Sequence, residues 1–448
     1  MNTKHKSECG TEQQPWLWPG SGLAGQLVAV WVRAMSAPGT ARLSWGHSAL
    51  ACLCDCHSNF TRLHRASNGC REFNLAVKRL PWNQLPCLVL QSELGELLGL
   101  MHYMEGLRLI SAVELVAPTS DENVTVTDTE LSGVPVRLFL PQRPPGGLRR
   151  AVLFFHGGGW CLGDAGMHGY DLMSRRISNE LNAVVVSVNY RLAPPHRFPA
   201  QFEDVYSVTK FFLQDKVLSQ YGVDPARVCV AGDSAGGNLA AAVAQQLSED
   251  PEVKTKLKAQ VLIYPALQAL DLDLPSYRDN AHKPLLPRAL MVRFWSEYLS
   301  AEPALRAAMA AGRHVPPEAA PLLPLLDWSR WLPAAMRGAH AYEGPALGGA
   351  GLARRFPALL DPRACPLLAP EARLRRLPPA FVLTCEHDVL RDDGAMYAAR
   401  LRAAGVPVTH HHAEDAFHGA MTFLAWPLEL AVGHRLFDTC MGWLKENL

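Results

Sequence analysis

Charge is scarce in this 448-residue chain: Asp, Glu, Lys and Arg make up 19% of it, and 43 basic residues face 42 acidic ones. So even a balance offers no positive field for nucleic acid or an anionic membrane surface, and neither is expected as a primary partner. The low charge does not signal disorder, because 48% of the residues are hydrophobic and the chain is long enough to bury a large core. Long apolar runs are scarce as well. The best stretch, residues 13–32, is broken by Pro15, Pro19, Gly20, Gly22 and Gly25, which leaves Leu23 to Val32 as its convincingly apolar part. That is well short of the ~20 residues a membrane-spanning helix requires. Zinc-type cysteine pairs are missing too. Six of the eleven cysteines lie before residue 90, and Cys52, Cys54 and Cys56 lack the two-residue loops that bring paired thiolates to one ion. No metal and no cofactor is expected.

What is present divides the chain in two. Residues 1–85 keep neither a 3.6 nor a 2 period and read as an atypical segment, while residues 86–448 read as the functional region. Leu94, Leu97, Leu98, Met101, Met104 and Leu107 recur at helical spacing, predicting one amphipathic helix over 93–116. A hairpin follows, with strands around Val124–Thr127 and Val134–Leu140 joined through Ser132-Gly133. The later apolar runs, Ala151–Phe155, Ala183–Val188, Val228–Ala231, Ala259–Tyr264 and Ala380–Thr384, are continuous, as strands covered on both faces are. Helical stretches between them supply crossovers, so the fold class is α/β with a mostly parallel central sheet flanked by helices. Residues 275–370 turn Pro-, Arg- and Trp-rich around a helix at Arg288–Leu299 and, with 86–118, read as a helical cap.

Four short motifs carry the chemistry. Gly232-Asp233-Ser234-Ala235-Gly236 stands between a strand-like run and an alanine-rich helix, the setting of a nucleophile elbow, where small neighbours let a strained turn present a serine. By itself such a turn could equally hold a phosphate. His156-Gly157-Gly158-Gly159 follows the strand ending at Phe155. Glycines there let main-chain N–H groups approach an oxyanion unobstructed, with Gly157 and Gly158 donating from the loop and Ala235 from the residue after the serine. An acid and a base must come later in the chain. Asp388, just past the strand ending at Thr384, is the chosen acid and Glu386 the second choice; Asp392 and Asp393 suit the first turn of a helix, where they complement its dipole. Of seventeen histidines, His410, His411 and His412 alternate along a strand, whereas His418 lies in the loop 414–419 from which an imidazole can reach the elbow. Ser234 as nucleophile, His418 as base and Asp388 as its orienting acid form a triad.

With these motifs assembled, the chain resembles the hormone-sensitive-lipase-like branch of the α/β-hydrolases. The stretches Asn189-Tyr190-Arg191-Leu192-Ala193-Pro194, Leu262-Ile263-Tyr264-Pro265-Ala266 and Trp443-Leu444-Lys445-Glu446-Asn447-Leu448 carry the likeness further, over about 93–448. The resemblance implies a carboxylesterase and amidase acting on arylacetamides and on small or neutral-lipid acyl esters. It also implies a catalytic region in the lumen of the endoplasmic reticulum held by an N-terminal anchor, although no clean anchor is evident before Glu93. It implies glycosylation at Asn123 in Asn123-Val124-Thr125 and a disulfide between Cys161 and Cys385. Where relatives carry glycine before Phe-His-Gly this chain has Ala416, which costs on the order of 1 kcal/mol if that backbone needs φ > 0. Leu285, Leu286, Met291, Phe294 and Trp295 suggest an apolar acyl pocket. The competing expectation is a non-catalytic binding protein on the same scaffold, since a fold does not guarantee its chemistry.

Overall fold

The computed structural model describes residues 85–143, 146–349, 351–425 and 428–448. The atypical segment 1–84 and its cysteine cluster lie outside them. Eight strands form one sheet: β1 (Val124–Leu131), β2 (Val134–Pro141), β3 (Arg149–Phe155), β4 (Ala183–Val188), β5 (Val223–Asp233), β6 (Ala259–Ile263), β7 (Ala380–His387) and β8 (Val408–Phe417). Their order is β1-β2-β4-β3-β5-β6-β7-β8. The β1/β2 and β2/β4 pairs are antiparallel, and every pair from β4/β3 to β7/β8 is parallel. This is the mostly parallel architecture expected from the continuous apolar runs.

The long helices are α1 (Leu85–Leu97), α2 (Tyr103–Ser111), α3 (His168–Leu181), α4 (Ala200–Phe212), α5 (Ala235–Glu249), α6 (Arg288–Leu299), α7 (Arg391–Ala403) and α8 (Ala431–Asn447). Among the described residues none is long and apolar enough to cross a membrane. Two cores sandwich the sheet. Ala151, Leu153 and Phe155 of β3 and Val184, Val186 and Val188 of β4 point into the core shared with α4, α5 and α7. Val152, Phe154, Ala183 and Val185, the alternate positions, point into the core shared with α3 and α8. Period-2 geometry therefore operates inside apolar runs that show no alternation, because both faces are dry.

The single helix expected over 93–116 is instead α1, a turn, α2 and a short 3-10 segment at Ala112–Glu114. Gly99 adopts φ +67°, which ends the first helix, and His102 starts the second: its Nδ1 accepts from Met104 N at 3.2 Å while Glu105 accepts from His102 N at 3.4 Å. That reciprocal cap outweighs the continuous apolar periodicity. The hairpin docks on α6, where Arg293 pairs with Glu96 and sits 4.1 Å over the Tyr103 ring. Between 275 and 370 the chain is helical and irregular, with one isolated bridge, Val315 to Leu347, and no strand among the described residues.

One close approach ties α5 to β3. A Cβ on Gly236 would lie 1.9 Å from the Phe155 carbonyl oxygen, and one on Gly232 would lie 2.3 Å from the Gly236 carbonyl oxygen. Both obstructions are main chain and have no rotamer by which to yield. Gly236→Ala is accordingly expected to destabilise the fold by about 3 kcal/mol or more, in the range reserved for core overpacking and strain, read as a fall in the denaturant midpoint.

Candidate active site

β5 ends at Asp233 and α5 begins at Ala235, so Ser234 alone makes the turn, at φ +55° and ψ −118°. A non-glycine residue held there stores strain of order 1–3 kcal/mol, which the glycine contacts around it enforce. The elbow raises Ser234 Oγ toward His418, whose Nε2 lies 2.9 Å away, while Nδ1 of the same ring lies 2.8 Å from Asp388 Oδ2. The tautomer that donates from Nδ1 to the carboxylate leaves Nε2 to accept the serine proton. Three chain segments up to 184 residues apart thus meet in one hydrogen-bonded line. Each partner follows a strand: Asp388 comes directly after β7, and β8 runs on to Phe417, so His418 is the first residue beyond a strand and not part of a longer loop.

Asp388 is 1% exposed, and its second oxygen accepts from Leu390 N at 2.9 Å. The Asn280 amide donates to the carbonyls of both Glu386 and Asp388 at 3.0 Å, fixing the acid-bearing turn from the cap side. Glu386, the second choice, points elsewhere, into an ion pair with Arg391 and a contact with His412 at 3.1 Å. The Tyr264 ring packs 4.8 Å from His418 and walls the base from behind. Ala416 lies inside β8, fully buried and with no positive φ, so it brings no backbone penalty; the left-handed residue in this turn is Gly419 at φ +77°.

The oxyanion loop corrects one expectation. Gly157 N donates to Tyr170 Oη at 2.9 Å, and that hydroxyl in turn donates to Asp233 Oδ2 at 3.2 Å. The Gly157 N–H is therefore engaged behind the loop. Gly158 and Gly159, at φ +108° and +60°, carry the main-chain N–H groups that make no bond among the described residues, as does Ala235 at the start of α5. Gly159, expected only as part of the motif, takes the place of Gly157 as a donor. It has no room for a side chain, since a Cβ would fall 2.2 Å from the Phe294 ring. His156 is wholly buried, stacked 4.3 Å from the Tyr190 ring with Nδ1 2.8 Å from the Gly157 carbonyl, and burial lowers its pKa. It is a structural support for the loop and does not reach the serine's base.

Other expectations separate under the tertiary structure. Asp392 and Asp393 do occupy the first turn of α7, but they are buried: Asp393 accepts from Leu267 N and Gln268 Nε2, both at 2.9 Å, and Asp392 accepts from Ser276 N at 2.7 Å. The first-turn placement is as expected, and in addition they tie α7 to the segment 267–276 that leads into the cap. The Cys161–Cys385 disulfide is not made. Cys161 is a buried thiol in the core shared with α4, α5 and α7, whereas Cys385 belongs to the core on the other face, with the sheet between them. Of the proposed acyl-pocket residues, Leu286, Met291, Phe294 and Trp295 are core, Trp295 lying 4.4 Å from Trp160; Leu285 is 41% exposed near Gly419. Tyr170, Asn280 and Asp233 have no sequence signal of their own. Burial raises the Asp233 carboxyl to about 7, against the opposing influence of His418.

Comparison with known proteins comes to the same fold. A family model described as alpha/beta hydrolase fold matches residues 152–325 and 352–422. The chain is 52% identical over 354 residues to arylacetamide deacetylase of Bos taurus, an alignment covering 79% of this chain and 88% of that protein. It is 45% identical over 362 residues to neutral cholesterol ester hydrolase 1 of Bos taurus, covering 80% and 89%. Among solved structures, a thermostable esterase from Pseudomonas putida ECU1011 superposes with a TM-score of 0.57 at 26% identity, over 77% of this chain and 90% of that one.

The geometry distinguishes the two carboxylates by experiment. Asp388→Asn should lower kcat by roughly 10³ to 10⁴-fold through loss of the correct tautomer, while Glu386→Gln, whose partners are Arg391 and His412, should leave kcat within about twofold; steady-state turnover of a chromogenic acetate ester reads both.

Proposed function

The chain belongs to the α/β-hydrolase fold family, and from that membership we propose that it is a serine hydrolase cleaving uncharged carboxylic esters and amides through an acyl-enzyme. The carrying observation is the unbroken line Ser234 Oγ, His418 Nε2, His418 Nδ1, Asp388 Oδ2 beside main-chain N–H groups of Gly158, Gly159 and Ala235. As Ser234 attacks the acyl carbon, His418 Nε2 takes its proton and Asp388 stabilises the imidazolium. The carbonyl oxygen becomes an oxyanion held by preorganised N–H donors, which are worth about 10² to 10³-fold each in rate. His418 then returns the proton to the departing alcohol or amine. Water repeats the sequence to release the acid and restore Ser234.

Arylacetamides and small or neutral-lipid acyl esters are the substrate classes we assign. The support is the names of relatives 52% and 45% identical to this chain, together with the apolar walls formed by Phe294 at Gly159 and Leu285 near Gly419. A non-catalytic binder has less support, because this chain keeps nucleophile, base and acid at bonding distance. Ser234→Ala should abolish turnover of a p-nitrophenyl ester and labelling by a fluorophosphonate probe while leaving the melting temperature close to that of the wild type; residual turnover above about 1% would assign the chemistry to another residue.

A luminal location in the endoplasmic reticulum is also proposed, with modification at Asn123. Its support is that Asn123 is half-exposed immediately before β1, its main chain bonded to Asp121 and Gln142 and its side-chain amide making no bond among the described residues. An endoglycosidase should increase the gel mobility of protein expressed in mammalian cells, and Asn123→Gln should remove that shift; a wild type indifferent to the enzyme overturns the assignment.

A further inference from the structure

We propose that Arg108, on the cap helix α2, is a positioning residue for the oxyanion loop, clamping the turn that presents the Gly158 and Gly159 N–H groups to the reacting carbonyl. The inference rests on the serine hydrolase reading and adds to it a residue upstream of the matched family core. Arg108 Nε donates to the Cys161 carbonyl at 2.7 Å and its Nη2 donates to the Ala193 carbonyl, reaching 53 and 85 residues along the chain. The loop closes on itself through the N–H groups of the same two residues: Ala193 N donates to the Trp160 carbonyl at 2.8 Å, and Cys161 N donates to the Gly158 carbonyl at 3.1 Å. Guanidinium, Cys161, Trp160 and Ala193 therefore form a ring of hydrogen bonds fastened to the glycine turn.

Among the described residues this cation has no ion-pair partner. Arg108 is half-buried, and burial pushes its pKa down. Glu105 on the same helix is exposed and serves the helix cap; its charge attracts the guanidinium at a distance and only partly offsets the desolvation. A desolvated charge without a direct ion pair is unfavourable, and here the groups that accept from it are two carbonyls of the loops around the reacting centre. Two diverging N–H donors on a planar fork reach both carbonyls, whereas a lysine ammonium on a flexible stem does not span them in the same way. The loop itself contains left-handed Gly158, Gly159 and Trp160 in succession, at φ +108°, +60° and +58°. Such a run keeps its shape only when neighbours over-determine it.

The test compares Arg108→Lys, Arg108→Gln and Arg108→Ala with Glu105→Ala, which weakens the cap of the same helix without touching the loop. Both Arg108→Lys and Arg108→Gln are expected to lower kcat by about tenfold or more, up to the ~10²-fold of a lost oxyanion donor, with KM within about threefold. Affinity for a trifluoromethyl ketone, which forms an oxyanion on Ser234, should fall by the same factor. Added guanidinium should restore part of the Arg108→Ala activity, and Glu105→Ala should keep wild-type kcat. Unchanged kcat in Arg108→Gln, or an equal loss in Glu105→Ala at the same melting temperature, overturns the positioning role while fluorophosphonate labelling of the wild type upholds the hydrolase reading. A folded wild type that never labels overturns both.

Discussion

The main-chain contact between Gly236 and the Phe155 carbonyl is the constraint on which the site depends. Phe155 is the last residue of β3 and His156 to Gly159 follow it at once, while Gly236 opens the helix behind Ser234. One close approach therefore sets the helix behind the nucleophile directly against the strand end from which the oxyanion loop leaves. No side chain lies between them to adjust, so the distance is fixed by backbone packing. Catalytic geometry of this kind needs such rigidity, because donors must be in place before charge develops.

Around that contact the carboxylates divide their work by environment. Asp388 keeps two firm partners, the His418 ring and the Leu390 N–H, and its turn is held by Asn280. Asp233, one residue before the nucleophile, is equally buried; it accepts from the Tyr170 hydroxyl and from the main chain of Gly157 and its own residue, yet burial raises it to about 7. Asp392 and Asp393 face the cap and accept main-chain and amide donors from 267–276. Four acids with similar local sequence settings thus serve three purposes: orienting the base, backing the oxyanion loop and fastening the cap.

The cap is correspondingly part of the site. Phe294 on α6 closes over Gly159, Asn280 holds the acid turn and Arg108 on α2 grips the loop beyond Gly159. Cap residues thus supply contacts to two parts of the site, the oxyanion loop and the acid-bearing turn. Such coupling makes the oxyanion loop sensitive to how the hairpin α1–α2 is seated on α6, through Arg293 with Glu96 and Tyr103.

Sequence alone determined the elements whose chemistry is local. Continuous apolar runs imply strands buried on both faces, G-x-S-x-G implies an elbow, and an acid just beyond a strand at Asp388 with a histidine in the 414–419 segment at His418 implies the triad. Each of these signals comes from residues adjacent in the chain. Tertiary structure decided what depends on partners far along it. Gly159 replaces Gly157 as donor because Tyr170 claims the Gly157 N–H, and Cys161 and Cys385 stay apart because the sheet lies between them. Gly99 and the His102 cap split a helix that periodicity alone would join. Hydrogen-bond donors are exclusive and a sheet has two sides, and neither fact is written in the order of the amino acids.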